Sequence, residues 1–202
     1  MKAIKVMVIV MVMGFFLSGI LIGCASVDQK VSLTYEKIVN AKGGSGKVLI
    51  AKPVEKFKAG KKTSGALILG VVKGTDRDIV TSDRVGDWVT LAFFQELRAA
   101  GYEVETVFEL PKDVSKGIVL TISELSTVQD MRVATAVTVS NMKLTVEAWK
   151  DGKVIKTFSY SGFDEREALD TSADPITKSL RVTLQSIAQQ AILDLIKVLE
   201  GS

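Results

Sequence analysis

Residues 133–154 read VATAVTVSNMKLTVEAWKDGKV, and the parsing of this stretch decides what lies beside it. Apolar side chains occupy odd positions at Val133, Val137 and Val139, then even positions at Met142, Leu144, Val146 and Ala148. Successive side chains of a strand point to opposite faces, so a change of parity would carry the apolar set away from the core unless the pleat resets. A β-bulge near Ser140 and Asn141 would return both halves to one core, and a turn there is the alternative. Asp151-Gly152 follows between two strand-like runs, and this dipeptide supplies the positive backbone angles of a tight hairpin turn. The returning strand then carries Val154, Phe158 and Tyr160 on one face.

Toward the C-terminus an acidic stretch holds Asp164, Glu165, Glu167, Asp170 and Asp174. Asp174-Pro175 is a helix start, because proline at the first position has no amide to lose. Apolar residues then recur at Ile176, Leu180, Leu184, Ile187, Ala191, Leu195 and Val198, the three-and-four spacing of an amphipathic helix. Closure over the protein's own sheet explains this stripe without a partner, although it would also serve as a coiled-coil seam.

Upstream, residues 48–57 and 66–72 are apolar runs on either side of a lysine-rich bend, which predicts two strands of a hairpin. Ser82 or Asp83 would cap a helix whose stripe is Val85, Trp88, Val89, Ala92, Phe93, Leu97 and Ala100, with Gly101 ending it. Residues 102–109 alternate as a strand, and Ile118, Leu120 and Ile122 open another. The element order predicts an α+β fold, an antiparallel sheet with two main helices packed on one face.

The first residues have a separate logic. Lys2 and Lys5 precede 17 uncharged, mostly apolar residues, the layout of a signal peptide, and the run ends in Leu21-Ile22-Gly23-Cys24. Lipid transfer needs a thiol, and the peptidase that follows needs a small residue beside the scissile bond; Cys24 and Gly23 meet those needs. An uncleaved membrane helix is the other reading, at the short limit of what spans a bilayer. Cys24 is the only cysteine in the chain, and it stands where the lipid would attach. Residues 1–23 are therefore expected to be a lipoprotein signal peptide, residues 24–46 the lipidated N-terminus and a flexible tether, and residues 47–202 a single periplasmic domain. Within the tether, Val31, Leu33 and Tyr35 alternate in a way that would suit a short edge strand.

Removing the signal leaves 179 residues with a side-chain charge of only about +1, since Lys2 and Lys5 leave with it. No attraction to nucleic acid follows from that balance. The chain contains no histidine, and a lipidated Cys24 leaves no thiol, so the commonest general base, metal ligand and nucleophile are missing. Gly44-Ser45-Gly46 precedes a strand rather than forming a strand-to-helix elbow, and the same glycines followed by Lys47 lack the flanking strand and helix of a phosphate loop. The acidic stretch lacks the alternating ligands and central glycine of a calcium loop. No catalytic, metal or cofactor-binding residues are expected, and Cys24 is the single site, carrying a covalent lipid. Lys56, Lys58, Lys61 and Lys62 form the one local basic cluster. A solubilising bend accounts for it; contact with an anionic surface near the anchor is the functional alternative.

The Leu21–Cys24 pattern, the strand around residues 48–54, the helix over residues 83–101, the match Leu97-Arg98-Ala99-Ala100-Gly101-Tyr102, the Asp151-Gly152 turn and the terminal helix together resemble the YajG-like family of bacterial lipoproteins. A looser likeness exists to accessory lipoproteins of envelope transport systems. The resemblance implies a lipid-anchored periplasmic protein, most simply on the outer membrane because Ala25 is not the aspartate that retains lipoproteins at the inner one. It brings no catalytic residues. The function expected is a non-enzymatic binding or accessory component with an envelope protein partner; the alternative is an envelope hydrolase using carboxylates such as Glu103 or Glu105.

Overall fold

The computed structural model describes residues 27–38 and 40–201; the signal segment and Cys24 lie outside the described residues. In chain order the elements are β1 (Gln29–Lys30), β2 (Lys47–Ala51), β3 (Val54–Glu55), β4 (Gly60–Lys61), β5 (Leu67–Lys73) and β6 (Asp78–Thr81). Then come α1 (Val85–Ala100), β7 (Glu103–Val107), β8 (Lys116–Met131), β9 (Ala136–Lys150), β10 (Lys153–Ala168) and α2 (Asp174–Glu200).

The long strands β8, β9 and β10 form an antiparallel meander, and the β9–β10 turn is the Asp151-Gly152 pair with φ of 50° and 73°. A Cβ on Gly152 would stand 2.1 Å from the Lys112 carbonyl oxygen, so both the backbone angle and the space demand glycine. The other edge of β8 is shared end to end. β2 pairs with it at Gly117 and Ile118, β3 at Thr121 and Ile122, and β5 from Thr127 to Asp130, all three parallel. β7 continues the sheet parallel to β2, while β6 and then β1 continue it beyond β5.

The expectation of an antiparallel sheet is thus corrected: the fold is α+β, but the sheet is mixed, and among the described residues five of its nine strand pairings are parallel. The runs at residues 48–57 and 66–72 are not hairpin partners. A 16-residue β8 is long enough to accept β2 and β5 side by side on different stretches of one edge, so each crosses over to reach it.

Both helices contribute to one hydrophobic core with the sheet. Every residue of the stripe expected on α1 is buried, and on α2 all but Val198, which is partly buried, are buried as well. Gly101 closes α1 in the left-handed conformation. Neither Ser82 nor Asp83 caps that helix; Arg84 holds the N-cap position without a side-chain bond, and Asp83 accepts instead from Leu33 N at 2.7 Å and Ser32 Oγ at 3.2 Å.

The parity change in β9 has a different cause from the expected bulge. β9 runs without a register shift through Ser140 and Asn141, and its even positions face inward throughout, so Thr138 and Ser140 are buried polar residues while Val137 and Val139 turn to the other face. The bulge lies one strand away, between Ile122 and Glu124 of β8. Beyond it the inner face of β8 continues through Leu125, Thr127 and Gln129. Thr127 Oγ1 and Ser140 Oγ are 3.0 Å apart, Gln29 Nε2 donates to Gln129 Oε1 at 3.0 Å, and Thr183 of α2 is buried over Ser140. Hydrogen bonding satisfies this polar half of the sheet only in part, since Gln29 Oε1, Gln129 Nε2 and Thr138 Oγ1 are buried without a partner among the described residues.

From Val27 onward the chain lies against the domain. Val31, Tyr35 and Ala41 belong to the core, Trp88 Nε1 donates to the Thr34 carbonyl at 2.9 Å, and Gly44 N donates to the Ala100 carbonyl at 3.0 Å. A Cβ on Gly44 would meet the Tyr102 ring at 2.5 Å, so this glycine serves a close approach.

Candidate binding groove

A groove of about 630 Å³ opens where the parallel strands β2 and β7 end and the first turns of α1 pass beside them. Ligands of open sheets with helices collect at the carboxyl ends of parallel strands, because the chain leaves the sheet there and uncovers a crevice. The register Ala51↔Val107 puts the two exits level: β2 leaves through Lys52-Pro53, and β7 leaves through Phe108. The facing side of α1 supplies Leu91 and Phe94, and Arg84 and Asp87 stand at the rim.

The lining is mainly apolar and open to water. Leu91 is 45% exposed and Phe108 is 73% exposed, and both line the same crevice, so they form a patch rather than scattered surface residues. Lys52 Nζ lies 5.4 Å from the Phe108 ring centre, a cation–π contact that orients the ring. Arg84 Nε is paired with Asp87 Oδ2 at 2.7 Å. The amide of Gly86, in the first turn of α1, is taken by Glu55 Oε1 at 2.9 Å, so that helix end is occupied by the protein's own carboxylate. What the groove can do chemically is to bury an apolar side chain beside a rim that carries Lys52 and the Arg84–Asp87 pair.

The residues singled out in the sequence lie elsewhere. Cys24 is outside the described residues. Lys56, Lys58 and Lys61 are exposed on the segment around β3 and β4, but Lys62 departs from them and pairs with Asp28 at 3.2 Å and Asp78 at 2.5 Å. The Asp78 and Asp28 hydrogen bonds hold the Lys62 ammonium above its ordinary pKa. Glu103 and Glu105 sit on β7, with Glu105 bonded to Lys47 at 2.5 Å.

The acidic stretch is taken up locally. Asp164 makes a double hydrogen bond with Arg166, Glu167 accepts from Thr135, and Asp170 accepts from Ser172, whose side chain and backbone hold its carboxyl below the usual range. Among the described residues no group of three or more acidic, cysteine or histidine side chains is placed to hold a metal, and no helix is long and apolar enough to cross a membrane. Leu91, Phe94 and Phe108 were not recognisable as a site in the sequence, although Leu91 and Phe94 lie off the α1 stripe, and that is the signal they carried.

No family model matches the chain, and no curated protein does. Solved structures match it. A Xanthomonas campestris protein described as DUF330 superposes with a TM-score of 0.55 at 12% identity, over 88% of this chain and 98% of that one. A minor lipoprotein from Acinetobacter baumannii gives 0.39 at 10% identity over 75% and 91% of the two chains. Lipoprotein GNA1162 from Neisseria meningitidis gives 0.34 at 12% over 78% and 100%. The first likeness is one of fold, shared along nearly the whole of both chains.

Proposed function

We propose that this chain is a non-enzymatic accessory lipoprotein of the bacterial envelope, anchored by lipid on Cys24, whose groove between α1 and the ends of β2 and β7 holds an apolar segment of a protein partner. The exposed pair Leu91 and Phe108 facing one crevice carries the reading, since a monomer gains nothing by leaving both in water. The order of charge, apolar run and Leu21–Cys24 supports the anchor, and Ala25 supports delivery to the periplasmic face of the outer membrane. The reading belongs with the YajG-like resemblance. It needs no metal or cofactor, no nucleic acid and no group on the protein beyond the lipid.

The experiment is photocrosslinking in the intact envelope, with a benzophenone side chain in place of Phe108 in the full-length chain and, for comparison, in place of Phe163 on β10. The expected result is a discrete protein adduct from position 108 that disappears when Leu91→Asp is added. Equal adducts from both positions, or none from 108, would overturn the groove assignment.

A further inference from the structure

We propose that the end of the sheet carrying Val27, Val133 and Leu169 rests on the bilayer and inserts those side chains into its interface; this rests on the lipid-anchor reading of Cys24. Among the described residues four large hydrophobic side chains are more than 70% exposed: Val133 at 109%, Leu169 at 81%, Phe108 at 73% and Val27 at 72%. Three of the four stand at one end of the molecule. Sheet register brings them there from separate segments. Met131 of β8 faces Ala136 of β9, which faces Ala168 of β10, so the turn bearing Val133 lies beside the loop bearing Leu169. Gln29 reaches across to donate to the Thr171 carbonyl at 2.8 Å, which fixes Val27 next to the same loop.

Tether length supplies the occupant. Three residue steps separate Cys24 from Val27, a reach of at most about 11 Å when fully extended. Slack cannot be drawn from the domain, because Gln29 is buried on Gln129 and Val31 lies in the core. A lipid on Cys24 therefore keeps this end, and no other, against the membrane. Val133 occupies the tip of a tight turn closed by Arg132 N to Thr135 O at 2.8 Å, where polar residues and glycine ordinarily dominate.

Charge does not explain the contact. Lys30, Lys73, Arg77 and Arg132 in these segments are matched in number by Asp28, Asp76, Glu167 and Asp170, so attraction to anionic headgroups cancels and apolar insertion remains. The arrangement also sets a height for the groove. The β7–β2–β8 register puts Phe108 level with Leu120, roughly 35 Å of strand away from Met131 at the usual rise per residue.

The test uses full-length, lipid-modified protein in vesicles of phosphatidylethanolamine and phosphatidylglycerol. Cys24 is the single native cysteine and is consumed by the lipid, so Val133→Cys, Leu169→Cys and Phe108→Cys each offer one thiol for a nitrobenzoxadiazole probe. Mass spectrometry of the N-terminal peptide confirms the lipid in every sample. Expected is quenching by spin-labelled lipid at least about threefold stronger at positions 133 and 169 than at 108, and unchanged by added salt, as apolar insertion requires. Equal quenching at all three positions on lipidated protein, or quenching at 133 and 169 that salt abolishes, overturns the insertion and leaves the anchor standing. An N-terminal peptide without lipid removes the anchor, and the inference with it.

Discussion

Tyr35 donates its phenolic hydrogen to Glu96 Oε1 at 2.7 Å, and the same carboxylate oxygen accepts from Ile38 N at 2.8 Å. Glu96 lies in α1 and is 1% exposed, so a carboxylate inside the protein is satisfied by the segment that leads from the N-terminus. Burial, and then the neighbouring Glu96, push the Tyr35 hydroxyl pKa far up, which keeps it protonated as the donor. With Asp83 binding Leu33 and Trp88 binding Thr34, three residues in and just before α1 hold the stretch that the sequence marks as a tether.

Tyr35→Phe removes one donor from a buried carboxylate and keeps the ring packing. The expected cost is about 1–3 kcal/mol, the range for a hydrogen bond to a charged group. In hydrogen exchange, amides of residues 29–38 lose protection in the variant while those of β9 keep theirs. Unchanged protection at residues 29–38 would show that the segment is held by something else.

At the far end of α2, Lys116 Nζ donates to Glu200 Oε1 at 2.8 Å, and Ser45 Oγ donates to Oε2 at 2.8 Å. Burial works against the charge, but the hydrogen bonds, that from Lys116 foremost, hold the carboxyl at about 2 against an ordinary value of 4.5. A carboxyl depressed in the folded state contributes stability above its unfolded pKa and loses it as pH falls through its folded one. The contribution, on the order of 2 kcal/mol, is thus complete above pH 4.5 and fades between about pH 4.5 and 2. Urea unfolding across that window should show Glu200→Gln less stable than the parent at pH 6 and converging on it near pH 2. A constant gap would contradict the assignment.

Leu184 is fully buried between α2 and the sheet, whereas Lys61 is exposed on β4. Leu184→Asp is expected to cost more than about 3 kcal/mol or to prevent folding, because it buries an unpaired charge. Lys61→Ser should change stability by less than about 0.5 kcal/mol. Thermal melts compare them, and a Leu184→Asp melt at the parent's temperature would show that the α2 contact is misplaced.

Those contrasts mark what local pattern can tell. The α1 and α2 stripes were legible because a 3.6-residue period separates buried from wet faces within one segment, and Asp151-Gly152 was legible because its turn needs angles that few residue pairs accept. Strand direction was not, since the pairing of β2, β3 and β5 along one edge of β8 depends on crossovers that leave no mark within each strand. Valines at 137 and 139 misled for another reason: the inward residues beside them are the polar Thr138 and Ser140, and Ser140 finds its side-chain partner only on another strand, at Thr127. The true bulge did leave a trace, the change from Ile118, Leu120 and Ile122 to Leu125. The groove left almost none, because Leu91 and Phe94 resemble ordinary surface apolar residues until β7 brings Phe108 to face them.

The proposed lipid on Cys24 would underlie both the anchoring and the placement of the groove above the membrane. The measurement that tests it is palmitate incorporation in growing cells, comparing the parent chain with Cys24→Ser. The expected result is a labelled parent cleaved after Gly23, and a serine variant that is neither labelled nor cleaved, since the hydroxyl does not replace the thiol in lipid transfer. Equal labelling of the two proteins would contradict it.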